Sequence, residues 1–434
     1  MKEGQRRGSL VALTPLMVFI GLFFGLSVAV GDFYRVPLGP LFLAASVYAI
    51  AIMPKLPVGE RIAIFSRGAG AEGMMLMIWI FVMAGSFAAT ARAMGAVEAT
   101  VELTMAILPS QLLLPGFFVA ACFISLAVGT SVGTIVALVP VAAGIAVAAD
   151  MSLPLLTAAV VGGAFFGDNL SFISDTTVVS TRTQGCRLSD KFRVNIRIVL
   201  PAAVVTIIVY VVMGISGGAV PQPEYSVKPL LVLPYVAVLA MAVAGVNVLA
   251  VLVAGNVMAG VIGLLSGSFD VDGWLRASAD GIAGMAELML ISMLAGGMFE
   301  VIRHMGGVEY LIRHMIRFVR GRRGAEAAIA LLVSVTNVFT ANNTVAILSV
   351  GEIAREIAGR FGVDPRKSAS LLDTFSCLVQ GVLPYGAQLL MAGGLAQLNP
   401  VEIVPYLYYP LLMGLCAIGA IWIGWPKMKP AAAQ

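Results

Sequence analysis

Asp168 and Asp175 stand seven residues apart in the stretch GGAFFGDNLSFISDTTVVSTRT (162–183), which also carries Asn169 and seven serine or threonine hydroxyls. Carboxylates, hydroxyls and the carbonyls of an unwound helix are hard oxygen donors, suited to Na+ or Li+. A carboxylate in an apolar setting also takes a proton, because desolvation favours its neutral form. A site that holds either ion, but not both at once, is the minimum device for exchange. The spacing puts both aspartates on one helix face if the helix is continuous. Gly167 and the hydroxyl cluster are equally consistent with an unwound segment. The plainer readings are Asp168 as a helix cap and Asp175 paired with Arg182. Asp175 ranks slightly ahead of Asp168 as the ion carrier, because Gly167 beside Asp168 suits a cap.

Other stretches supply neutral oxygens. TSVGT offers Thr130, Ser131 and Thr134, and TNVFTANNT offers Thr336, Asn337, Asn342, Asn343 and Thr344. LLDTFSCLVQGVLPYGAQLL adds Asp373, Ser376, Gln380, Tyr385 and Gln388. Asp373 follows a basic loop (355–367), which points to the cytoplasmic end of a span and to a cap or an ion-pair partner as readily as to a ligand. Glu287 and Glu300 have uncharged counterparts in the first half and read as local.

The solvent decides what these groups mean. The 434 residues are 59% hydrophobic and 12% charged, where soluble domains carry about 25% charged residues. Leu10–Val30 contains no charge, and a spanning helix needs roughly 20 such residues. The fold class is therefore all-α, a polytopic membrane protein with about 10–13 hydrophobic segments. The expected location is a cell membrane, that of a bacterium, with lipid as the surroundings. MKEGQRRG before the first apolar run reads as the cytoplasmic start of an uncleaved helix rather than a signal peptide. The net charge of +4 reflects cytoplasmic loops and gives no reason to expect nucleic acid. Cys122, Cys186, Cys377 and Cys416 are scattered, and His304 and His314 stand beside arginines, so neither a disulfide framework nor a zinc site is expected.

MAGSFAATARAMGAVE (83–98) and LAGGMFEVIRHMGGVE (294–309) share seven of 16 positions at a constant offset of 211, including Arg92/Arg303, Gly95/Gly306 and Glu98/Glu309. Such duplication is a frequent basis of secondary transporters. In half one the basic residues precede this motif (Lys55, Arg61, Arg67). In half two they follow it (Arg303, Arg313, Arg317, Arg320, Arg322, Arg323). Basic loops stay cytoplasmic, so the two repeats are inverted. The expected division is a cytoplasmic N-terminus (1–8), a first repeat (9–196), a linking transmembrane helix (197–219), a second repeat (220–425) and a cytoplasmic tail (426–434). The helix near 199–215 starts from a basic segment containing Arg182, Arg187, Lys191, Arg193 and Arg197. TSVGTIVALVPVA (130–142) pairs with TANNTVAILSVGE (340–352) through a shared T-x-x-x-T. Both interrupt apolar runs, and the 39 residues of 111–149 exceed one span. Re-entrant hairpins and broken helices are the expectation, with two ordinary kinked spans as the alternative. A hairpin tip must be buried in protein or line a wet cavity.

GAFFGDNLSFISDTT resembles the G-D-x-x-S-x-x-S-D-T-T signature of the sodium/proton antiporter family named for NhaC. GTSVGT resembles that family's G-T-S-x-G-T segment, with Val132 where an aromatic is usual. With the apolar frame, the resemblance covers most of residues 60–425. It implies inverted repeats, paired re-entrant hairpins and a moving transport domain on a fixed scaffold. It also implies ion-site roles for Asp168, Asn169, Ser171, Ser174, Asp175, Thr176 and Thr177. The second half reads N-N-T and V-L-P-Y-G-A-Q rather than copying the first.

The leading functional reading is a secondary antiporter exchanging Na+ or Li+ for H+, with Na+ held at Asp168 and Asp175, no resident cofactor and no catalysis. The runner-up is Na+- or H+-coupled transport of a small carboxylate or amino acid, for which the amides of half two are suited. No H-E-x-x-H points to an intramembrane enzyme and no G-x-x-x-x-G-K-[ST] to ATP drive. A homodimer is compatible with this class.

Overall fold

A bilayer offers the backbone no hydrogen-bond partners, so apolar runs of this length fold as helices that satisfy their own N–H and C=O groups. The computed structural model describes residues 10–32, 35–53, 56–172, 174–216, 228–244, 246–316 and 321–426. Among the described residues all regular structure is helical. Half one comprises α1 (Thr14–Val30), α2 (Leu38–Ile52), α3 (Val58–Ala69), α4 (Glu72–Ala93), α5 (Ala96–Ile107), α6 (Ser110–Val128), α7 (Ser131–Ala148), α8 (Leu153–Leu170), α9 (Asp175–Gln184) and α10 (Leu188–Ser216). Half two comprises α11 (Pro229–Val243), α12 (Val248–Leu265), α13 (Val271–Gly284), α14 (Ala286–His304), α15 (Gly307–Ile316), α16 (Gly321–Thr340), α17 (Asn343–Phe361), α18 (Pro365–Val382), α19 (Ala387–Ala396), α20 (Pro400–Ile403) and α21 (Tyr408–Ile423). By length and composition the described residues hold nine candidate spans, or ten with the bent pair α20–α21, and two shorter apolar helices. The expected N-terminus (1–8), Lys55, Arg317, Arg320, the link residues 217–219 and the tail beyond 426 lie outside the described residues.

The two halves repeat element by element. α7 begins at 131 and α17 at 343, α8 at 153 and α18 at 365, α9 at 175 and α19 at 387, an offset of 212 each time. The same offset relates α10 to α20–α21. The helix expected as a linker thus starts earlier, at Leu188, and has a counterpart in half two. The offset also corrects the pairing of TSVGT with TANNT, which is two residues out of register. Thr130 corresponds to Asn342, and Ser131 to Asn343. The earlier motif keeps its register, since Gly95 and Gly306 both adopt positive φ, 84° and 78°.

Packing between the halves is reciprocal. α3 lies against α14, and α13 against α4. A Cβ on Gly68 would sit 2.4 Å from the Gly296 carbonyl oxygen, and one on Gly85 would sit 2.3 Å from that of Gly281. Small residues let membrane helices touch backbone to backbone, where dispersion rather than the hydrophobic effect holds them. Partners exchanged between halves in this way are what a two-fold relation produces.

Four interruptions then position the site. α6 stops at Gly129 (φ 74°), and extended Thr130 leads into α7. α16 stops before Ala341 (φ 49°), and extended Asn342 leads into α17. α8, ending at Leu170, and α9, beginning at Asp175, together form one 32-residue span, Leu153–Gln184, and α18 and α19 form another, Pro365–Ala396. The helices flanking each tip contact one another, α6 with α7 and α16 with α17. Their arms are longer than a short re-entrant loop needs: α6 has 19 residues and α7 has 18, each enough to cross by length. The α6–α7 tip nevertheless meets the α8–α9 opening, buried in protein as non-helical backbone at that depth must be.

Candidate functional site

α8 is buried along most of its length, and its glycines bring it onto α6. A Cβ on Gly163 would lie 2.3 Å from the Phe118 carbonyl oxygen, and one on Gly167 would lie 2.4 Å from the Leu126 nitrogen. That contact fixes the last turn of α8 and aims Asp168 at the α6–α7 tip. Asp168 is 3% exposed. Ser131 Oγ, at the start of α7, donates to its Oδ2 at 2.7 Å. Ser174 Oγ, in the opening before α9, donates to its Oδ1 at 2.6 Å and lies 2.9 Å from Thr176 Oγ1. Among the described residues the carboxylate has no ion-pair partner. The charges of Asp175 and Asp373 act on it.

The polar chain continues into half two. Gln388 Nε2 donates to Ser131 Oγ at 3.0 Å, and Gln380 Nε2 donates to Gln388 Oε1 at 2.9 Å and to the Ala341 carbonyl at 3.0 Å. Gln380 Oε1 is buried without a hydrogen-bond partner. Such an atom costs free energy unless something fills the gap. Asp175 opens α9 and is exposed. Its Oδ1 accepts the Thr176 N–H at 2.9 Å, and its Oδ2 accepts Thr344 Oγ1, from the α16–α17 tip, at 2.6 Å. The helix is open between the aspartates, so they do not share one helix face. Asp168 is no N-cap, and Asp175 bonds Thr344.

Behind the opening lies a second network. Asp373 sits in the middle of α18, wholly buried, while the N-cap of that helix is Asp364. Burial works against the charge of Asp364, but its bonds to Arg366 hold the carboxyl below its usual range. Lys191 of α10 was expected in a cytoplasmic segment, yet it is 1% exposed and pairs with Asp373. It also donates to the Asn169 carbonyl at 2.6 Å and to Thr177 Oγ1 at 2.9 Å. Asn195 Nδ2 donates to Asn169 Oδ1 at 2.6 Å, while Asn195 Oδ1 accepts Ser370 at 2.7 Å and Thr374 at 2.8 Å. Sequence reasoning missed Lys191, Asn195, Ser370 and Thr374. The one signal was a lysine within one helical turn of Asn195 at the head of a long apolar helix.

The remaining candidates do different work. Ser171 Oγ donates to the Leu126 carbonyl at 2.8 Å, tying the opening to α6. Thr134 bonds back to the Thr130 carbonyl at 3.1 Å. Asn342 Oδ1 caps α17 by accepting the Val345 N–H at 3.0 Å, and Asn343 Oδ1 accepts the Thr344 N–H at 3.0 Å. Asn337 Nδ2 donates to the Ser376 carbonyl at 2.8 Å, as Ser125, its counterpart at offset 212, donates to that of Ala164 at 2.5 Å. Glu300 pairs with Arg303 on its own helix. Among the described residues no cluster of three or more His, Cys, Asp or Glu could hold a metal. The oxygens around Asp168 are one carboxylate with the hydroxyls of Ser131 and Ser174.

Two cavities lie at the ends of the broken spans and correspond through the same offset. One, of about 720 Å³, is lined by Arg92, Glu98, Glu102, Ala143, Leu153 and Ala396. The other, of about 580 Å³, is lined by Gln184, Arg322, Arg355, Asp364 and Pro365. Ala143 corresponds to Arg355, Leu153 to Pro365 and Gln184 to Ala396.

Comparison with known proteins shows the family. The model of the Na+/H+ antiporter family matches residues 11–215 and 225–425. An uncharacterized Na+/H+ antiporter of Haemophilus influenzae is 24% identical, the match covering 97% of both chains. The Na+/H+ antiporter NhaC of Bacillus subtilis is 24% identical over 74% of this chain and 77% of its own. The malate-2H+/Na+-lactate antiporter of the same organism is 18% identical over 94% of each.

Proposed function

The chain belongs to the Na+/H+ antiporter family, and on that premise we propose that Na+ and H+ compete for the Asp168 carboxylate. It is a secondary antiporter and a multi-pass protein of the bacterial plasma membrane. The observation that carries the site assignment is a buried carboxylate held by two hydroxyl donors. A lone charge in that position is costly. It is relieved by a proton on the carboxyl or by a cation beside it, and one carboxylate cannot take both reliefs at full strength. That exclusion couples the two fluxes.

The hydroxyls suit both states. A hydroxyl carries one donor and two lone pairs. Ser131 donates to Asp168 and accepts from Gln388, so one lone pair remains for a cation. Ser174 and Thr176 supply further oxygens within reach of the same carboxylate. When Asp168 is protonated, its one O–H donates to one of the two hydroxyls, which turns to accept, while the other goes on donating to the carbonyl oxygen. Asp175 and Thr344 lie on the exposed side of the opening and form the approach to the site. The four-residue opening and the α6–α7 tip belong to different segments of half one, while Gln388 reaches in from half two. Relative movement of these elements remakes the site on the other face of the membrane.

The test is transport by the purified protein in liposomes with an internal pH dye. External Na+ or Li+ should raise internal pH, K+ should not, and Asp168→Asn should give no response while inserting normally. Proton-coupled Na+ flux at wild-type rate in Asp168→Asn would remove the carboxylate from its role. One observation favours a second reading, exchange of a small organic solute: Gln380 Oε1, without a hydrogen-bond partner among the described residues, is an acceptor suited to a solute's hydroxyl or ammonium group. In that case internal pH responds only when malate, lactate or an amino acid accompanies Na+.

A further inference from the structure

We propose that Lys191 is a tethered cation filling a second cation site, so that each chain offers a single exchangeable site. The inference rests on the Asp168 reading above. The Lys191 ammonium lies among the Asn169 carbonyl oxygen at 2.6 Å, Thr177 Oγ1 at 2.9 Å and the Asp373 carboxylate. That is one oxygen for each of its N–H bonds. The cage is closed: Lys191 and Thr177 are 1% and 2% exposed, and Asn169 and Asp373 are 0% exposed. Thr177 also donates to Asp373 at 3.0 Å.

A carboxylate, a hydroxyl and a main-chain carbonyl at the end of an unwound helix are the ligands a free monovalent cation takes in such folds. The ammonium has given up its water for them as a bound ion would. The same opening builds both sites. Asn169 follows Asp168 directly, and Thr177 lies three residues after Ser174. Without a cation of its own, Asp373 would be a second buried carboxylate near Asp168, with the same demand for Na+ or H+. Lys191 meets that demand permanently from α10, which leaves Asp168 as the one carboxylate that must be relieved from solution. Lys191 therefore sets how many ions are exchanged per cycle.

A lysine that only clamps α10 to α18 would make the same contacts. The two roles part when the amine is removed: a cage refills with an ion, whereas a clamp leaves a gap. Binding of radioactive Na+ to the purified chain reads the difference. Wild type should hold about one Na+, Lys191→Ala about two, and Lys191→Ala/Asp373→Ala about one again. Na+ that binds the folded variant must also raise its Tm by mass action. Lys191→Ala should thus be recovered monodisperse in Na+ and lost in N-methylglucamine, with a Tm that climbs more steeply with Na+ than that of wild type. A Lys191→Ala chain with an unchanged Na+ count and a Tm no more dependent on Na+ than that of wild type, or one lost equally in both salts, overturns the proposal. Wild type that binds no Na+, with a count still rising in Lys191→Ala, would instead overturn the Asp168 reading and leave the Lys191 cage standing.

Discussion

The broken spans α8–α9 and α18–α19 have the same length, and each packs against the helices of a tip, α6 and α7 or α16 and α17, yet their chemistry is opposite. At offset 212 Asp168 corresponds to Gln380 and Thr176 to Gln388. Half one puts a buried carboxylate at its opening, with hydroxyls from the same half pointing at it. Half two puts amides there, and they bond one another and the Ala341 carbonyl. The single acid of half two in this region, Asp373, lies further back and is neutralised by Lys191. Duplication thus supplied two equivalent openings, and the charge was concentrated in one. A transporter that must couple two ions needs a carboxylate they compete for, and a second uncompensated one nearby would add like-charge repulsion and a second ion to carry.

The comparison breaks outright if the halves are not inverted. In a background without the four native cysteines, Glu60→Cys and Asp272→Cys should label from opposite faces of the membrane. Both positions are exposed, one in α3 and the other in its counterpart α13. Labelling of both from one side would end the inverted reading.

The next largest effect separates the two openings. Asp168→Asn should take Na+-driven proton flux to the liposome background. Gln380→Leu should slow it by no more than about thirtyfold, the value of its two hydrogen bonds at about 1 kcal/mol each. Equal losses in the two variants would mean that the carboxylate and the amide do the same job.

Within half one, the aspartates should differ. Lowering the pH protonates the shared carboxyl and so raises the apparent Na+ constant, by up to about tenfold per pH unit for one-for-one competition. Asp175→Asn should keep that slope and weaken Na+ affinity only a few-fold, because Asp175 is exposed and bonded to Thr344. A flat profile in Asp175→Asn would make Asp175 the titrating group.

The smallest effects compare the tips. Gly129 and Ala341 hold equivalent left-handed positions, φ 74° and 49°. A left-handed residue with a Cβ costs about 1–2 kcal/mol. Gly129→Ala should lower the Tm in detergent, and Ala341→Gly should raise it slightly. A rise in both would place the strain elsewhere.

Much of this was legible in the chain. Length and apolarity specified helices in a membrane, because a backbone without water can satisfy itself in few ways. The motif around Arg92 and Arg303 exposed the duplication, and Asp168, Ser131 and Ser174 were read as site residues. The tip register was misread by two positions because T-x-x-x-T is a weak pattern, and only helix starts and the paired left-handed residues fix the alignment. Asp175 was ranked above Asp168 because a glycine neighbour suggested a cap, whereas Asp168 is no cap and is the more buried of the two.

Composition and local pattern determined the solvent, the helices, the repeat and the stretch rich in carboxylates and hydroxyls, since each depends on residues close together in the chain. Only the tertiary structure decided which carboxylate stands unpaired and which is matched. Lys191 reads as one more basic residue beside Arg187 and Arg193, yet its partner Asp373 lies 182 residues away. The state of a buried charge is set by the groups that surround it in space, and here those arrive from α8, α9, α10 and α18 together.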